Sequence, residues 1–332
     1  MRWTAAFLSL LLLSGCGWQE AENLSVATAA AVETQDGEIA LTLEIARPTA
    51  DNPIPSSETL TAHGRTVEEA IETASSERSL YLSHADLLLI DEATAQNGLS
   101  PLLDYAVEHS DRLRLGTRIC IVRGCTPSDI LNSETTSGEP AGYALSRSLD
   151  RAIESGLAPD LPIYQLIERI ADADMEAVLP AVTLREGAAV PDGCAVLRGG
   201  VPAGYLSQTE TELLCLLAGS AEEASYPLAT GETIRLSQPS CRIQASWDSR
   251  PTFELRLTAA ADTDQRTAAA RALERDLDAL MTRLYTELAA DPLGLMREMR
   301  RTQFSRYEAH TQSAPTGWDI RTTVHLTGGD HS

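Results

Sequence analysis

The spacing of apolar residues in the first fifty positions is typical of β-structure. The segment LSVATAAAVETQDGEIALTLEIARP places Leu41, Leu43 and Ile45 at alternate positions between polar neighbours. This pattern predicts two strands joined by a turn at Gln35-Asp36-Gly37. Pro48 is expected to end the second strand, and a loop containing Pro and Ser is expected to follow it.

The next hundred residues alternate between helical and strand patterns. Thr66 is predicted to cap a helix, with Glu69 as its capping-box partner. The continuous apolar run at residues 87–90 predicts a fully buried strand. The segment LSPLLDYAVEHS predicts a second helix, and LRLGTRICIVRG predicts the strand after it. The first region is therefore expected to be an α/β layer.

Residues 126–180 have a mostly helical pattern. The segments SRSLDRAIESG and PIYQLIERIADA carry apolar residues at helical spacing. The pattern is interrupted at four positions, Gly138, Pro140, Pro159 and Pro162. We expect a helical middle made of short helices.

The pattern returns to strands near residue 190. Residues 194–198 and 203–206 predict a hairpin around Gly199-Gly200. Thr209 with Glu212 predicts a capping box for a helix that ends at Gly219. Two or three further strands are expected in ETIRLSQPSCRIQASWDSRPTFELRLTAA.

A long amphipathic helix is predicted to begin near Asp264. Its apolar residues lie on one face and are expected to pack on the sheet: Leu273, Leu277, Leu280, Met281, Leu284 and Leu288. Asp291-Pro292 is expected to interrupt this helix, and a further helix is expected to reach about Tyr307. The segment WDIRTTVHLTG predicts a last strand, with these residues on one face: Ile320, Thr322, Val324 and Leu326. The predicted fold class is multi-domain α+β (mixed α/β), with an N-terminal α/β region, a helical middle and a C-terminal antiparallel sheet packed by a long helix.

The first 16 residues predict an export signal followed by a lipid anchor. Met1-Arg2-Trp3-Thr4 is a short positive segment, the apolar run at residues 5–13 is too short to span a bilayer, and Leu13-Ser14-Gly15-Cys16 resembles a bacterial lipobox. We expect residues 1–15 to be removed and Cys16 to carry a diacylglyceryl group, since two acyl chains give stable anchoring. An ordinary signal peptide cleaved nearby is the alternative.

Charge and composition exclude several functions. The chain has 332 residues and a formal net charge of -22, from 26 basic and 48 acidic residues, which disfavours nucleic-acid binding and adhesion to anionic lipid through charge alone. It contains no lysine. Schiff-base chemistry, a P-loop and a Ser-x-x-Lys acylase are therefore excluded.

Cysteine and histidine spacing predicts no metal site or cofactor. The cysteines other than Cys16 number five and cannot all pair, and none has zinc-ribbon spacing: Cys120, Cys125, Cys194, Cys215 and Cys241. Export permits disulfides, but we expect Cys120 and Cys125 to be buried free thiols. The histidines are scattered, without an HExxH pair.

Five segments, in order along the chain, carry a resemblance to a known family: SGCGWQEAEN, HGRTVEEAI, RSLYLSHADLLLIDE, GCAVLRGGVPAGYLSQTE and DPLGL. The chain resembles the Ger(x)C spore-germination lipoproteins, the C subunits of the germinant receptors of endospore-forming bacteria. It departs from them at Gly17, at Gln19 in place of the usual Asp, and at Arg198, where they often carry lysine.

The resemblance implies a non-enzymatic, lipid-anchored receptor subunit on the outer face of the spore's inner membrane. Its expected partners are two integral-membrane proteins, an A subunit and a B subunit, and its expected role is in the response to nutrients. The expected division is a signal peptide at 1–15, an N-terminal germination-protein region at 16–187, with one or two subdomains, and a C-terminal domain at 188–332.

The sequence also suggests two alternative functions and one candidate contact surface. A substrate-binding lipoprotein of a transporter would share the anchor, although such proteins need two similar lobes and the first lobe is not repeated. A hydrolase is suggested only by Ser83 beside His84, which as strand neighbours would point to opposite faces. The segment REMRRTQFSRY carries a basic cluster that we interpret either as a solvated helix face or as a contact for an acidic partner or lipid headgroups: Arg297, Arg300, Arg301 and Arg306.

Overall fold

The structure is a computed structural model that describes residues 25–35, 37–49, 52–228, 231–247, 249–309 and 317–328. Cys16 lies outside these residues, and so do the predicted signal peptide and the predicted turn residue Asp36. In the described part, the chain forms two mixed β-sheets and ten helices, as the predicted α+β class requires. No helix in this part is long and apolar enough to cross a bilayer.

The first sheet has nine strands in the order β3-β2-β1-β5-β6-β7-β8-β9, with β4 beside the start of β1. The strands are β1 (Ser25–Gln35), β2 (Glu38–Thr49), β3 (Asn52–Gly64), β4 (Leu80–Tyr81), β5 (Leu87–Asp91), β6 (Arg118–Val122), β7 (Val178–Arg185), β8 (Ala188–Arg198) and β9 (Val201–Leu206). The central strands β1, β5, β6 and β7 are parallel, and the outer pairs are antiparallel.

Helices cover both faces of the first sheet. They are α1 (Val67–Glu77), α2 (Glu92–Gln96), α3 (Ser100–Glu108), α4 (Pro127–Leu131), α5 (Ala141–Glu154) and α6 (Ile163–Ala171). Residues of α1, α3 and α6 form one core with the sheet, and residues of α4 and α5 form another on the opposite face. Because both faces are covered, every residue of β2 from Leu41 to Ile45 is buried, including Thr42 and Glu44.

The loop predicted after Pro48 is wrong, because residues 52–64 form β3. Among the described strands it pairs with β2 alone, and an edge strand tolerates the prolines and polar residues that favoured a loop. The predicted cap of α1 is confirmed, since the Thr66 hydroxyl accepts a 3.1 Å bond from the Glu69 N–H. The Glu69 carboxylate accepts from the N–H of Arg65 rather than from that of Thr66.

The second sheet has four strands in the order β10-β11-β12-β13. They are β10 (Glu223–Pro227), β11 (Thr233–Trp247), β12 (Pro251–Ala261) and β13 (Asp319–Gly328). The first two pairs are antiparallel as predicted, but β12 and β13 are parallel. The last strand is reached through helices, so it enters beside β12 in the same direction.

Helices α7 (Gln208–Ala218) and α8 (Arg266–Thr282) pack on one face of the second sheet. A π-helical turn, Arg283–Glu287, extends α8, and α9 (Leu295–Thr302) and α10 (Phe304–Ala309) follow. The predicted apolar stripe of α8 is confirmed as core: Leu273, Leu277, Leu280, Met281 and Leu284 are buried, and Leu288 is partly buried.

The capping box predicted for α7 is displaced by two residues. Ser207 and Glu210 form it, with the Glu210 carboxylate accepting a 2.8 Å bond from the Ser207 N–H. Thr209 and Glu212 lie inside the helix. Both pairs have the required spacing, and the structure uses the earlier one because β9 ends at Leu206. Gly219 ends the helix in the left-handed conformation, as predicted.

The β8–β9 hairpin, predicted around Gly199-Gly200, joins the two parts of the molecule. Its strands continue the first sheet. Ala195 and Leu197 face the first core, whereas Cys194, Val196 and Leu206 belong to the core of the second sheet. The domain boundary between residues 187 and 188 stays a prediction. Strands β8 and β9, which follow this boundary, are hydrogen-bonded into the first sheet, most of which precedes it.

Candidate functional site

The predicted basic cluster lies on α9 and α10, beside the loop that links α6 to β7. We call residues 172–176 of that loop the acidic loop, because it carries Asp172, Asp174 and Glu176. Sequence reasoning did not connect this loop with the arginines, although ADADME is a visible acidic run in the printed sequence. The structure brings the two segments together across more than a hundred residues of chain.

Asp291 positions the start of α9. Its two carboxylate oxygens accept bonds from the N–H groups of Leu295 and Met296 at 2.9 and 2.8 Å, and the Tyr285 hydroxyl donates to it at 2.8 Å. A carboxylate at a helix N-terminus satisfies free N–H groups and interacts favourably with the helix dipole. Burial nevertheless raises the pKa of Asp291 to about 6. The predicted interruption at Asp291-Pro292 is thus an organised helix start.

Glu176 ties the acidic loop to the same turn. Its carboxylate accepts a 2.6 Å bond from the N–H of Asp291, and its own N–H donates to the Asp291 carbonyl at 3.1 Å. Burial raises the pKa of Glu176, and the hydrogen bond from Asp291 opposes that shift. The acidic loop is therefore fixed to the turn before α9 by bonds in both directions.

Two of the four arginines bind the acidic loop. Arg300 lies 2.7 Å from Asp174 and 3.7 Å from Asp172, and Arg297 lies 3.8 Å from Asp172. Asp174 is only 6% exposed and also accepts a 2.6 Å bond from the Tyr307 hydroxyl. Burial raises the pKa of Tyr307. This network neutralises Asp174 and fixes α9 and α10 to the first part of the chain.

The other two arginines do not contact the acidic loop. Arg301 pairs with Glu298 in its own helix at 2.7 Å, and Arg306 donates to the Trp247 carbonyl. The side chains of Arg297 and Arg301 are 59% and 73% exposed, so their guanidinium groups can reach another molecule. The cluster therefore combines an internal clamp, Arg300, with an exposed surface, Arg297 and Arg301.

A second buried carboxylate lies in the first sheet and was not predicted. Glu44 of β2 accepts a 2.6 Å bond from the Thr28 hydroxyl and a 2.9 Å bond from the N–H of Gly142 in the first turn of α5. Burial raises its pKa. A Cβ at Gly142 would lie 2.4 Å from the Cβ of Ala29, so this close approach requires glycine. A glutamate between apolar strand residues was the only signal for this helix anchor.

The described residues contain few groups suited to covalent or metal chemistry. The five cysteines are free thiols, and burial raises the pKa values of Cys120, Cys194 and Cys215 to about 12. Thiols with such values are not activated nucleophiles. The Ser83 hydroxyl donates to the Arg112 carbonyl rather than to His84. Within the described ranges, no three His, Cys, Asp or Glu side chains could hold a metal ion together.

These observations define a class of α+β protein in which a hairpin of the first sheet packs on the core of the second sheet and a carboxylate network joins the two parts. Residues 18–184 match the family model described as the spore germination protein N-terminal domain. The match covers half of the chain, so the protein belongs to this family of spore germination proteins.

A solved structure supports the same fold over nearly the whole chain. The crystal structure of the GerBC protein superposes with a TM-score of 0.56 and 18% sequence identity, over 93% of this chain and 99% of that one. At this identity the likeness establishes the fold, which includes the second sheet beyond the family match. No curated protein matches the sequence.

Proposed function

We propose that the protein is a non-enzymatic, lipid-anchored C subunit of a spore nutrient germinant receptor. Membership of the spore germination family is the observation that carries this proposal. The integral-membrane A and B subunits are the proposed partners. Such a subunit needs no active site, because a few kcal/mol of differential contact with two partner conformations is sufficient to change their populations.

The proposed anchor is a diacylglyceryl group on Cys16, which would hold the protein on the outer face of the spore's inner membrane. Eight residues separate Cys16 from Ser25, the first residue of β1. A chain of that length spans about 30 Å at most. The body of the protein would therefore lie within a bilayer's thickness of the membrane surface, where it can contact integral partners directly.

The proposed partner contact uses the basic cluster. Arg297 and Arg301 supply its exposed charge, while Arg300 and Arg306 hold α9 and α10 in place. The complementary surface would be a negatively charged segment of a membrane subunit.

The two sheets bear on the transporter alternative. In the described residues, the first sheet has nine strands and the second has four in a different order. The two halves therefore lack the repeated lobes expected of a transporter's substrate-binding lipoprotein.

Deletion of the gene tests the proposed function. We expect spores of the deletion strain to lose or slow their response to one set of nutrients, while germination by agents that bypass receptors is unchanged. Cys16→Ala should abolish lipid labelling, because the acylated thiol is lost. It should also weaken the response to nutrients, because a charge of -22 disfavours electrostatic adhesion to anionic lipid in place of the anchor. Normal nutrient germination together with lost uptake of one solute would contradict the proposal and support the transporter alternative.

Charge reversal tests the contact surface separately. Arg297→Glu with Arg301→Glu should weaken both nutrient germination and recovery of the membrane subunits in a pulldown from spores. The matched control is Arg271→Glu with Arg275→Glu, which reverses two exposed arginines of α8 away from the cluster. Equal germination in both double variants would show that the cluster is an ordinary solvated helix face.

A further inference from the structure

The outer face of the second sheet carries a polar pocket that the proposed function does not use. Helices α7 and α8 cover the opposite face, so alternate residues of β11, β12 and β13 point to solvent. Six polar side chains from these strands line one shallow cavity of about 240 Å³: Arg242, Gln244, Glu254, Arg256, Arg321 and Thr323. Because the pocket lies on regular strands, the backbone fixes the positions from which its side chains project.

The register of the sheet places two of the arginines directly opposite each other. Arg242 of β11 is the register partner of Arg256 of β12. Side chains in such positions start about 5 Å apart, and like charges there destabilise a sheet. Arg321 of β13 is the register partner of Glu254, and it pairs at 3.1 Å with Asp319. Within the described part of the chain, neither Arg242 nor Arg256 forms an ion pair.

The pocket has the charge and the donors that a tetrahedral oxyanion requires. Three arginines against one glutamate leave an excess of two positive charges in its lining, in a protein whose overall charge is -22. A phosphate monoester carries about -1.5 to -2 charges at neutral pH. A carboxylate has two oxygens and is filled by one guanidinium fork, whereas a phosphate group has enough oxygens to accept from two forks at once. The Gln244 amide adds a neutral donor group to the lining, whereas the Thr323 hydroxyl donates to the Leu255 carbonyl.

We propose that Arg242 and Arg256, with Arg321 beside them, form a binding site for a phosphate group. The ligand relieves the repulsion between the two facing arginines, which explains how the sheet accommodates them. The phosphate group belongs either to a small soluble phosphate ester or to a lipid headgroup. Since the site is defined by the second sheet alone, it does not depend on the role proposed for the basic cluster or on the receptor assignment.

The test uses the full chain and its Arg242→Gln, Arg256→Gln double variant. The matched control is Arg235→Gln, an exposed arginine on β11 that lies outside the pocket. One arm titrates inorganic phosphate and glycerol 3-phosphate by calorimetry at low salt. The other compares flotation with phosphatidylglycerol vesicles and with phosphatidylcholine vesicles, so that binding through any acyl anchor cancels. Thermal melting confirms that the variants are folded.

We expect the parent and the Arg235→Gln control to bind, and the double variant to bind at least about tenfold more weakly, because the loss of one charge-assisted bond to a phosphate oxygen already removes about that factor. Binding only in the soluble arm identifies a phosphate ester, and pair-dependent preference for phosphatidylglycerol identifies a headgroup. Either result supports the site. Absence of binding by the parent in both arms, or equal binding by parent and double variant, overturns it.

Discussion

Two pairs of neighbouring residues show how differently the two sheets use their strands. In β5, Leu89 and Ile90 are both buried and belong to cores on opposite faces of the sheet. In β12, Leu255 is buried whereas its neighbour Arg256 is exposed. The first sheet is a scaffold with no free face in its centre. The second sheet leaves one face exposed to solvent, so contacts through a sheet face are possible there.

Truncation of core residues gives the largest expected effect and tests this difference directly. Leu89→Ala, Ile90→Ala and Leu255→Ala should each lower the free energy of unfolding by about 2 to 5 kcal/mol. Arg256→Ala should change it by less than about 0.5 kcal/mol, as exposed substitutions do. Urea unfolding of the four variants measures this. A small loss at either Leu89 or Ile90 would mean that one face of the first sheet is not core.

The turn before α9 should make the stability of the second part depend on pH. The folded pKa of Asp291 is about 6, above the ordinary value of 3.8, so its protonated form favours folding. Its contribution is fully present below pH 3.8 and is lost as the pH rises through 6. Two pKa units correspond to about 3 kcal/mol.

Asp291→Asn removes this titration, so stability curves of parent and variant provide the measurement. The stability of the parent relative to the variant should rise by up to about 3 kcal/mol between pH 7 and pH 4. Burial also raises the pKa of Glu44, so Glu44→Gln should show the same sign in the first sheet. A difference between parent and Asp291→Asn that does not change with pH would show that this carboxylate is not buried as described.

The basic cluster should divide into structural and exposed arginines, and Arg300 and Arg301 test this division. Among the described residues, Arg300→Ala leaves the buried Asp174 carboxylate with the Tyr307 hydroxyl as its one side-chain partner. This variant should lower the free energy of unfolding by about 1 to 2 kcal/mol. Arg301→Ala removes an exposed pair within one helix and should cost less than about 0.5 kcal/mol. Equal losses in thermal or urea unfolding would remove the distinction between clamp and surface.

The smallest expected effect has the opposite sign. Arg242→Gln removes a like charge directly opposite Arg256, and should raise the free energy of unfolding by a few tenths of a kcal/mol in phosphate-free buffer. Arg235→Gln is again the control. Added phosphate should reverse the order by stabilising the parent selectively. Lower stability of Arg242→Gln without phosphate would show that the two facing arginines do not repel each other.

Local sequence patterns correctly predicted the elements whose burial or capping depends on nearby residues. The apolar run of β5, the stripe of α8 and the Thr66 cap were all visible because burial or capping follows from residues a few positions apart. The strand β3 was missed because its pairing with β2, not its polar sequence, holds it in the sheet. The parallel entry of β13 was missed for a similar reason, since strand direction depends on the path of the intervening chain.

The candidate sites also depend on contacts between residues far apart in the sequence, which local patterns do not reveal. The four arginines were recognised as a group, but their division depends on Asp172 and Asp174, which are more than 120 residues away in the chain. Nothing near Arg300 in the sequence distinguishes it from Arg301. Likewise, the repulsive pair of Arg242 and Arg256 exists only in the register of β11 and β12. Long-range register, not composition, decides which charges meet.

The position of β1 determines how the molecule responds to mechanical load. The chain enters the described structure at Ser25, and β1 lies inside the sheet, antiparallel to β2 on one side and parallel to β5 on the other. A pulling force applied through residue 24 acts along this strand. It loads the ladders with β2 and β5 together, and also the short ladder with β4 at the start of β1, whereas an edge strand would be peeled away bond after bond. A force applied on the N-terminal side of β1 is thus shared by strands on both sides of it instead of acting on a single edge ladder.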